Sequence, residues 1–208
     1  MTQNADSPPL PPTRRPRTAP LGERPTLTDA QRVALEAYAD TVVPGRKRHP
    51  DDVAIAGVDD TPGAVECGAL DVLTDPATGI EDGVGGMADL LDQRAVTWAT
   101  ARELPDPVGR FADLGYTDRR RLVAELTDPE EPEKDLWFLV ALFATMAYDS
   151  APHLETADAL DPAVTPASGL RAMGFFPPVD GRWAFDRGGY GRPLARLRAG
   201  TDDHGDPR

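Results

Sequence analysis

The chain has 208 residues, 40% of them hydrophobic, with 22 prolines, 19 glycines and a formal net charge of −13. This length suits one domain with long loops, and the apolar share is enough for a real core. The acidic surface repels nucleic acid and anionic lipid, which excludes both as general partners, and a single cysteine excludes an internal disulfide or a cysteine zinc site.

Residues 1–26 read as a disordered, proline-rich arm, mildly basic through Arg14, Arg15, Arg17 and Arg24. Arg14-Arg15 resembles the start of a twin-arginine export signal, but the polar, broken stretch Pro16-Arg-Thr-Ala-Pro-Leu-Gly-Glu23 replaces the apolar run such a signal needs. The expected location is therefore cytoplasmic, with export only by association with a signal-bearing partner.

Thr28-Asp-Ala-Gln31 fits a capping box and opens the first helix. Ala30, Val33, Ala34, Ala37 and Tyr38 follow helical spacing until Pro44-Gly45. Residues 45–60 are loop. Thr61-Pro62 is read as the start of a second helix, lined by Val65, Ala69, Val72 and Leu73 and ended by Thr74-Asp-Pro-Ala-Thr-Gly79. Asp59-Asp60 would favour its positive end. Cys67 falls inside this pattern beside Glu66, with Asp71 one turn on, so it is read as a small buried hydrophobe rather than a reactive thiol.

Gly83-Val-Gly-Gly86 reads as a link, followed by a third helix from about Met87 to Leu104 with Met87, Leu90, Leu91, Ala95 and Trp98 on one face. These glycines follow no strand and lack the spacing of a dinucleotide fingerprint. After Pro105 and Pro107, Phe111-Ala-Asp-Leu-Gly-Tyr116 leads to Thr117, read as an N-cap, with Asp118 favourable to the dipole and Leu122, Val123 and Leu126 as the apolar stripe. Arg119-Arg120-Arg121 reads as a solvated face.

The next helix, from about Glu133 to Ser150, contains Leu136-Trp-Phe-Leu-Val-Ala-Leu-Phe-Ala-Thr-Met-Ala-Tyr148, in which Thr145 is the one polar side chain. It is far short of the roughly 20 apolar residues that span a bilayer. With no wet face, it is expected to lie at the centre, surrounded by protein. The fold class that follows is mainly α: a compact bundle of about five helices around a central apolar helix.

From Ala151 the periodicity disappears. Glycines, prolines and aromatics intermix through Gly169-Leu-Arg-Ala-Met-Gly-Phe-Phe-Pro-Pro178 and on to Trp183, Phe185 and Tyr190, and Thr201 to Arg208 reads as a frayed tail. These rings either fold over the helical core or lie on another protein, since aromatics are enriched at interface cores.

No catalytic constellation emerges. His49 lies among Arg46, Lys47 and Arg48, which would repel a metal cation, His153 sits where a cationic ring suits a helix C-terminus, and His204 is in the tail. No Ser-His-Asp or Cys-His grouping stands at a rigid position, and catalytic, cofactor-binding and metal residues are expected to be absent from this chain.

Several segments, taken in order, resemble the gluconate 2-dehydrogenase subunit 3 family and its actinobacterial relatives of uncharacterised function. They are Leu27 to Pro44, Ala56 to Val65, Phe111 to Leu114 with Arg119 to Leu126, Phe138 to Ala147, and Gly169-Leu-Arg-Ala-Met-Gly-Phe175. The resemblance runs from about Leu27 to Pro178. It implies a helical accessory-subunit domain over 27–178; residues 179–208 have no counterpart in the resemblance and read, from their own pattern, as an irregular extension and tail. It also implies a small, non-catalytic subunit that binds and stabilises, or helps mature, a large flavin-dependent oxidoreductase of the glucose–methanol–choline type. The FAD would reside in that partner, which is sometimes joined by a cytochrome c subunit. Many relatives carry a twin-arginine signal, a pattern this chain leaves at Pro16. Phe175, Phe176, Trp183, Phe185 and Tyr190 are the expected partner contacts. The rival readings are a stand-alone helical enzyme of a biosynthetic cluster using pocket carboxylates, and a monomeric scaffold or regulator without a redox partner.

Overall fold

The computed structural model describes residues 23–43, 45 and 61–175. Those from Glu23 to Met173 belong to one compact unit. Among the described residues there are seven α-helices and no strand: α1 Asp29–Val42, α2 Ala69–Leu73, α3 Glu81–Ala101, α4 Tyr116–Leu126, α5 Lys134–Asp149, α6 Thr156–Leu160 and α7 Gly169–Ala172. Two 3-10 turns, Pro76–Thr78 and Phe111–Asp113, join them. The fold is the mainly helical, compact one that the periodicity predicts.

The capping box at the start of α1 is formed: the Thr28 hydroxyl accepts from the Gln31 amide (3.2 Å) and the Gln31 side chain accepts from the Thr28 amide (3.0 Å). Such a cap is worth about 1 kcal/mol. Helix α1 touches α2, α3, α4, α5 and the Phe111–Asp113 turn. Its residues Ala34, Leu35, Ala37, Tyr38 and Ala39 are all buried, so α1 is wrapped on more sides than its apolar stripe suggests. The fully buried Tyr38 sits between Phe111 and Trp137, with ring centroids 6.1 and 6.3 Å away, and its hydroxyl donates to the Trp137 carbonyl at 2.9 Å. Burial pushes that phenol well above its ordinary pKa.

Helix α3 packs on α1 and on the Phe111–Asp113 turn, and buries Val84, Met87, Ala88, Leu91, Ala95 and Trp98 in the core. Three polar ties fix its other neighbours. The Asp92 carboxylate accepts from the Phe111 amide (2.8 Å), Trp98 Nε1 donates to Glu125 of α4 (3.0 Å), and Arg94 bridges Glu131 and Glu133 at the entry to α5 (3.2 and 2.7 Å).

Several local readings are revised. The stretch Gly83 to Gly86 is not a link but the first turns of α3, where Glu81 and Asp82 favour the helix dipole. Gly85 faces the Gln31 side chain, which would stand 3.2 Å from an added Cβ. The second helix does not open at Thr61-Pro62. Residues 64–68 form turns, and Gly68, at φ +86°, takes a left-handed conformation that delays the helix to Ala69. The residue capping α4 is Gly115, not Thr117. Arg120 and Arg121 are exposed as expected, but Arg119 is 1% exposed, because it lies on the same side of α4 as Leu122 and Leu126. The segment after Ala151 is not wholly irregular, since it contains α6 and α7. Asp59, Asp60, His49 and His204 lie outside the described residues.

Candidate interaction surface

Helix α5 has two unlike sides. Trp137, Val140, Ala144, Ala147 and Tyr148 are buried, facing α1, α2, α4 and α7. On the opposite side Phe138 is 58% exposed, Leu142 52% and Leu139 38%. Among the described residues the apolar helix is thus enclosed on one side, which revises the expectation that protein surrounds it. The neighbouring helices are too few to cover a sixteen-residue rod on all faces. The stripe Phe138–Leu139–Leu142, continued by the half-buried Met146, follows helical spacing. Exposed Asp135 lies one turn before it and exposed Asp149 closes it at the far end. A contiguous apolar surface bounded by charge marks an interaction site more often than a lone exposed leucine does.

At its C-terminal end α5 is anchored by α7. An added Cβ at Gly169 would overlap the Tyr148 carbonyl and crowd its ring, so only glycine permits this approach. Arg171 then fans out to three main-chain carbonyls: Ala159 (2.9 Å), Thr165 (2.6 Å) and Pro166 (2.8 Å). The Gly169–Phe175 segment singled out in the sequence is thereby explained: Gly169 permits contact, Arg171 ties down the α6–α7 loop, and Gly174, at φ +76°, takes the left-handed conformation that follows the end of α7. Replacing Arg171 by alanine strands three acceptors at once. The expected loss is about 1–3 kcal/mol, read by hydrogen exchange as increased opening of α6 and α7. Lysine, a point donor without the planar fork, is expected to recover less than half of it.

Cys67 and Asp92 are among the titratable groups that burial shifts. Cys67 is 4% exposed, and burial pushes its thiol up to about 11, so it stays protonated at neutral pH. Burial also raises the Asp92 carboxyl, against the opposing Phe111 amide. That carboxylate already serves as the anchor of a 3-10 turn. A shallow depression of about 270 Å³ is lined by Ala99, Thr100, Glu103, Leu104, Asp106, Pro107 and Val108, a set with no histidine or cysteine. Among the described residues no group of His, Cys, Asp and Glu side chains could hold a metal ion, and no helix is long and apolar enough to cross a membrane.

His153 departs from the sequence reading. Its ring lies over Gly68 and is half-buried, so desolvation holds its pKa below the usual imidazole value; Asp71 and Asp75 pull it up and Arg24 pushes it down. A cationic ring is therefore disfavoured there. Arg24, at the end of the proline-rich arm, is engaged with both acids (2.8 Å to Asp71, 3.4 Å to Asp75). The folded pKa lies below the unfolded value of about 6.5, so the unfolded chain binds more protons in the interval between them. Stability is full above about pH 6.5 and falls as the pH drops toward the folded pKa. Urea midpoints from about pH 7.5 down to about pH 5.5 are expected to decline, and His153→Gln to flatten the decline. An unchanged slope in the variant would assign the effect elsewhere.

Of the partner contacts expected from sequence, Phe175 is described and is 36% exposed. Phe176, Trp183, Phe185 and Tyr190 lie outside the described residues. The outer face of α5 was not among those expectations. The available signal was the spacing of Asp135, Phe138, Leu139, Leu142 and Asp149, which places two acids on the same side as three large apolar residues.

No curated protein and no solved structure matches the chain. A family model does, over residues 29–208, which takes in every helix described above and the aromatic segment that follows. The chain belongs to that family, a family of unknown function designated DUF5987.

Proposed function

We propose that this chain is a non-catalytic binding subunit that attaches to, and stabilises or helps mature, a larger flavin-dependent oxidoreductase of the glucose–methanol–choline type. The observation that carries the binding role is the open apolar face of α5, with Phe138 58% and Leu142 52% exposed on a helix otherwise fixed by the core. The reactive groups support the same reading: Cys67 is held as a thiol and Asp92 serves as a structural acceptor. The flavoprotein as partner rests on the ordered resemblance of Leu27 to Pro178 to the gluconate 2-dehydrogenase subunit 3 family. FAD would belong to the partner, to which a cytochrome c subunit could also attach. The chain would act in the cytoplasm or leave it with a signal-bearing partner.

The test is co-expression of the full chain with a glucose–methanol–choline flavoprotein encoded beside it. Co-elution, and a lower flavin content of the large subunit when this chain is omitted, are the expected results. Separate elution with unchanged flavin loading would refute the flavoprotein reading.

A further inference from the structure

The α5 face carries information about the chemistry of its occupant. Asp135 and Asp149 are both exposed and both stand on the side of Phe138, Leu139 and Leu142. They stand fourteen positions apart, about 21 Å along the helix axis at 1.5 Å per residue. The apolar stripe between them is therefore closed by a negative charge at each end. The one basic residue in the first turn, Lys134, is turned back to the Pro129 carbonyl at 2.7 Å.

This arrangement selects among occupants. A second copy of the chain would set Asp135 against Asp149 in antiparallel pairing, or each against itself in parallel pairing, and every such juxtaposition is repulsive. The formal charge of −13 on each copy adds to the penalty. A lipid surface is disfavoured for the same reason, because interfacial helices flank their apolar face with Lys and Arg rather than Asp. We infer that the α5 face receives an amphipathic helix of a different protein, whose apolar stripe is bounded at both ends by Arg or Lys about four turns apart. The inference rests on the binding-subunit reading and specifies what the partner presents. The apolar centre would supply adhesion, and the two terminal charges would set register and reject other helices.

The test uses the full chain and two dye-labelled synthetic 18-residue helical peptides with the same apolar stripe. One has Arg and the other Glu at the two positions fourteen residues apart. Fluorescence anisotropy at low salt is expected to show the Arg peptide binding at least about tenfold tighter. Asp135→Lys with Asp149→Lys is expected to reverse that preference, and Phe138→Gln with Leu142→Gln to weaken both peptides. All four positions are exposed, and unchanged melting temperatures would verify that the variants fold. Equal affinity for the two peptides, absence of saturable binding, or a dimer in sedimentation that Phe138→Gln with Leu142→Gln dissociates would each overturn the inference. If the peptide preference fails while the flavoprotein still co-elutes, the surface assignment falls and the subunit reading stands. If the preference holds while co-elution fails, the flavoprotein reading falls instead.

Discussion

Trp137→Ala is expected to lower the unfolding free energy by about 3–5 kcal/mol, the usual range for deleting a buried large aromatic. Trp137 is 1% exposed and the largest fully buried side chain of the described residues. It packs beside Tyr38, and its own carbonyl receives the Tyr38 hydroxyl. Truncation would open a cavity where α1 and α5 meet and leave the Tyr38 ring without one of its two aromatic neighbours. Trp137→Phe provides the control. The indole Nε1 is buried without a hydrogen-bond acceptor among the described residues. Phenylalanine keeps a ring and removes that stranded donor, so its loss is expected to be less than half that of alanine. Urea unfolding of the three proteins checks both values, and equal losses for Ala and Phe would contradict the packing described.

Gly169→Ala is the second large effect, expected at about 3 kcal/mol, at the upper end of overpacking costs. The closest atom to an added Cβ is the Tyr148 carbonyl oxygen, part of the α5 backbone, so no rotamer change relieves the overlap. Helix α7 would have to withdraw from α5, taking with it the Arg171 ties to Ala159, Thr165 and Pro166. Gly174→Ala separates sterics from conformation. Gly174 has φ +76° but nothing within 4 Å of an added Cβ, so its substitution is expected to cost only about 1 kcal/mol. Denaturation curves in which the two alanine variants behave alike would argue against close α5–α7 contact.

The strongest local signals were legible in the sequence. Thr28 and Gln31 announced the start of α1 because a capping box is chemically local: two side chains satisfy two amides within one turn. The periodic Met87, Leu91, Ala95 and Trp98 likewise identified the buried side of α3. Glycines proved less legible. Gly83, Gly85 and Gly86 weaken a helix by propensity, but the packing of Val84, Met87 and Ala88 on the core overrides that weakness. Gly68 does the reverse, breaking an apparently helical pattern through its left-handed conformation, which no periodicity records. His153 shows a similar limit. A helix C-terminus favours the imidazolium, yet the desolvation imposed by burial against Gly68 prevails, and burial depends on tertiary placement.

The two-sidedness of α5 follows the same logic. An apolar helix is wrapped only where neighbours exist to wrap it. Here α1, α2, α4 and α7 reach one side, leaving Phe138, Leu139 and Leu142 outside. Adjacent residues therefore stand in different settings: Trp137 is buried in the core, while Phe138 is more than half exposed.

The most direct test of that division is the unfolding free energy of the full-length chain carrying Phe138→Gln and Leu142→Gln, glutamine being chosen because it preserves helix propensity. A change within about 0.5 kcal/mol per site is predicted, as for other exposed positions. A combined loss above about 3 kcal/mol would mean that these side chains are buried in the free protein, and would contradict an α5 face held open for a partner.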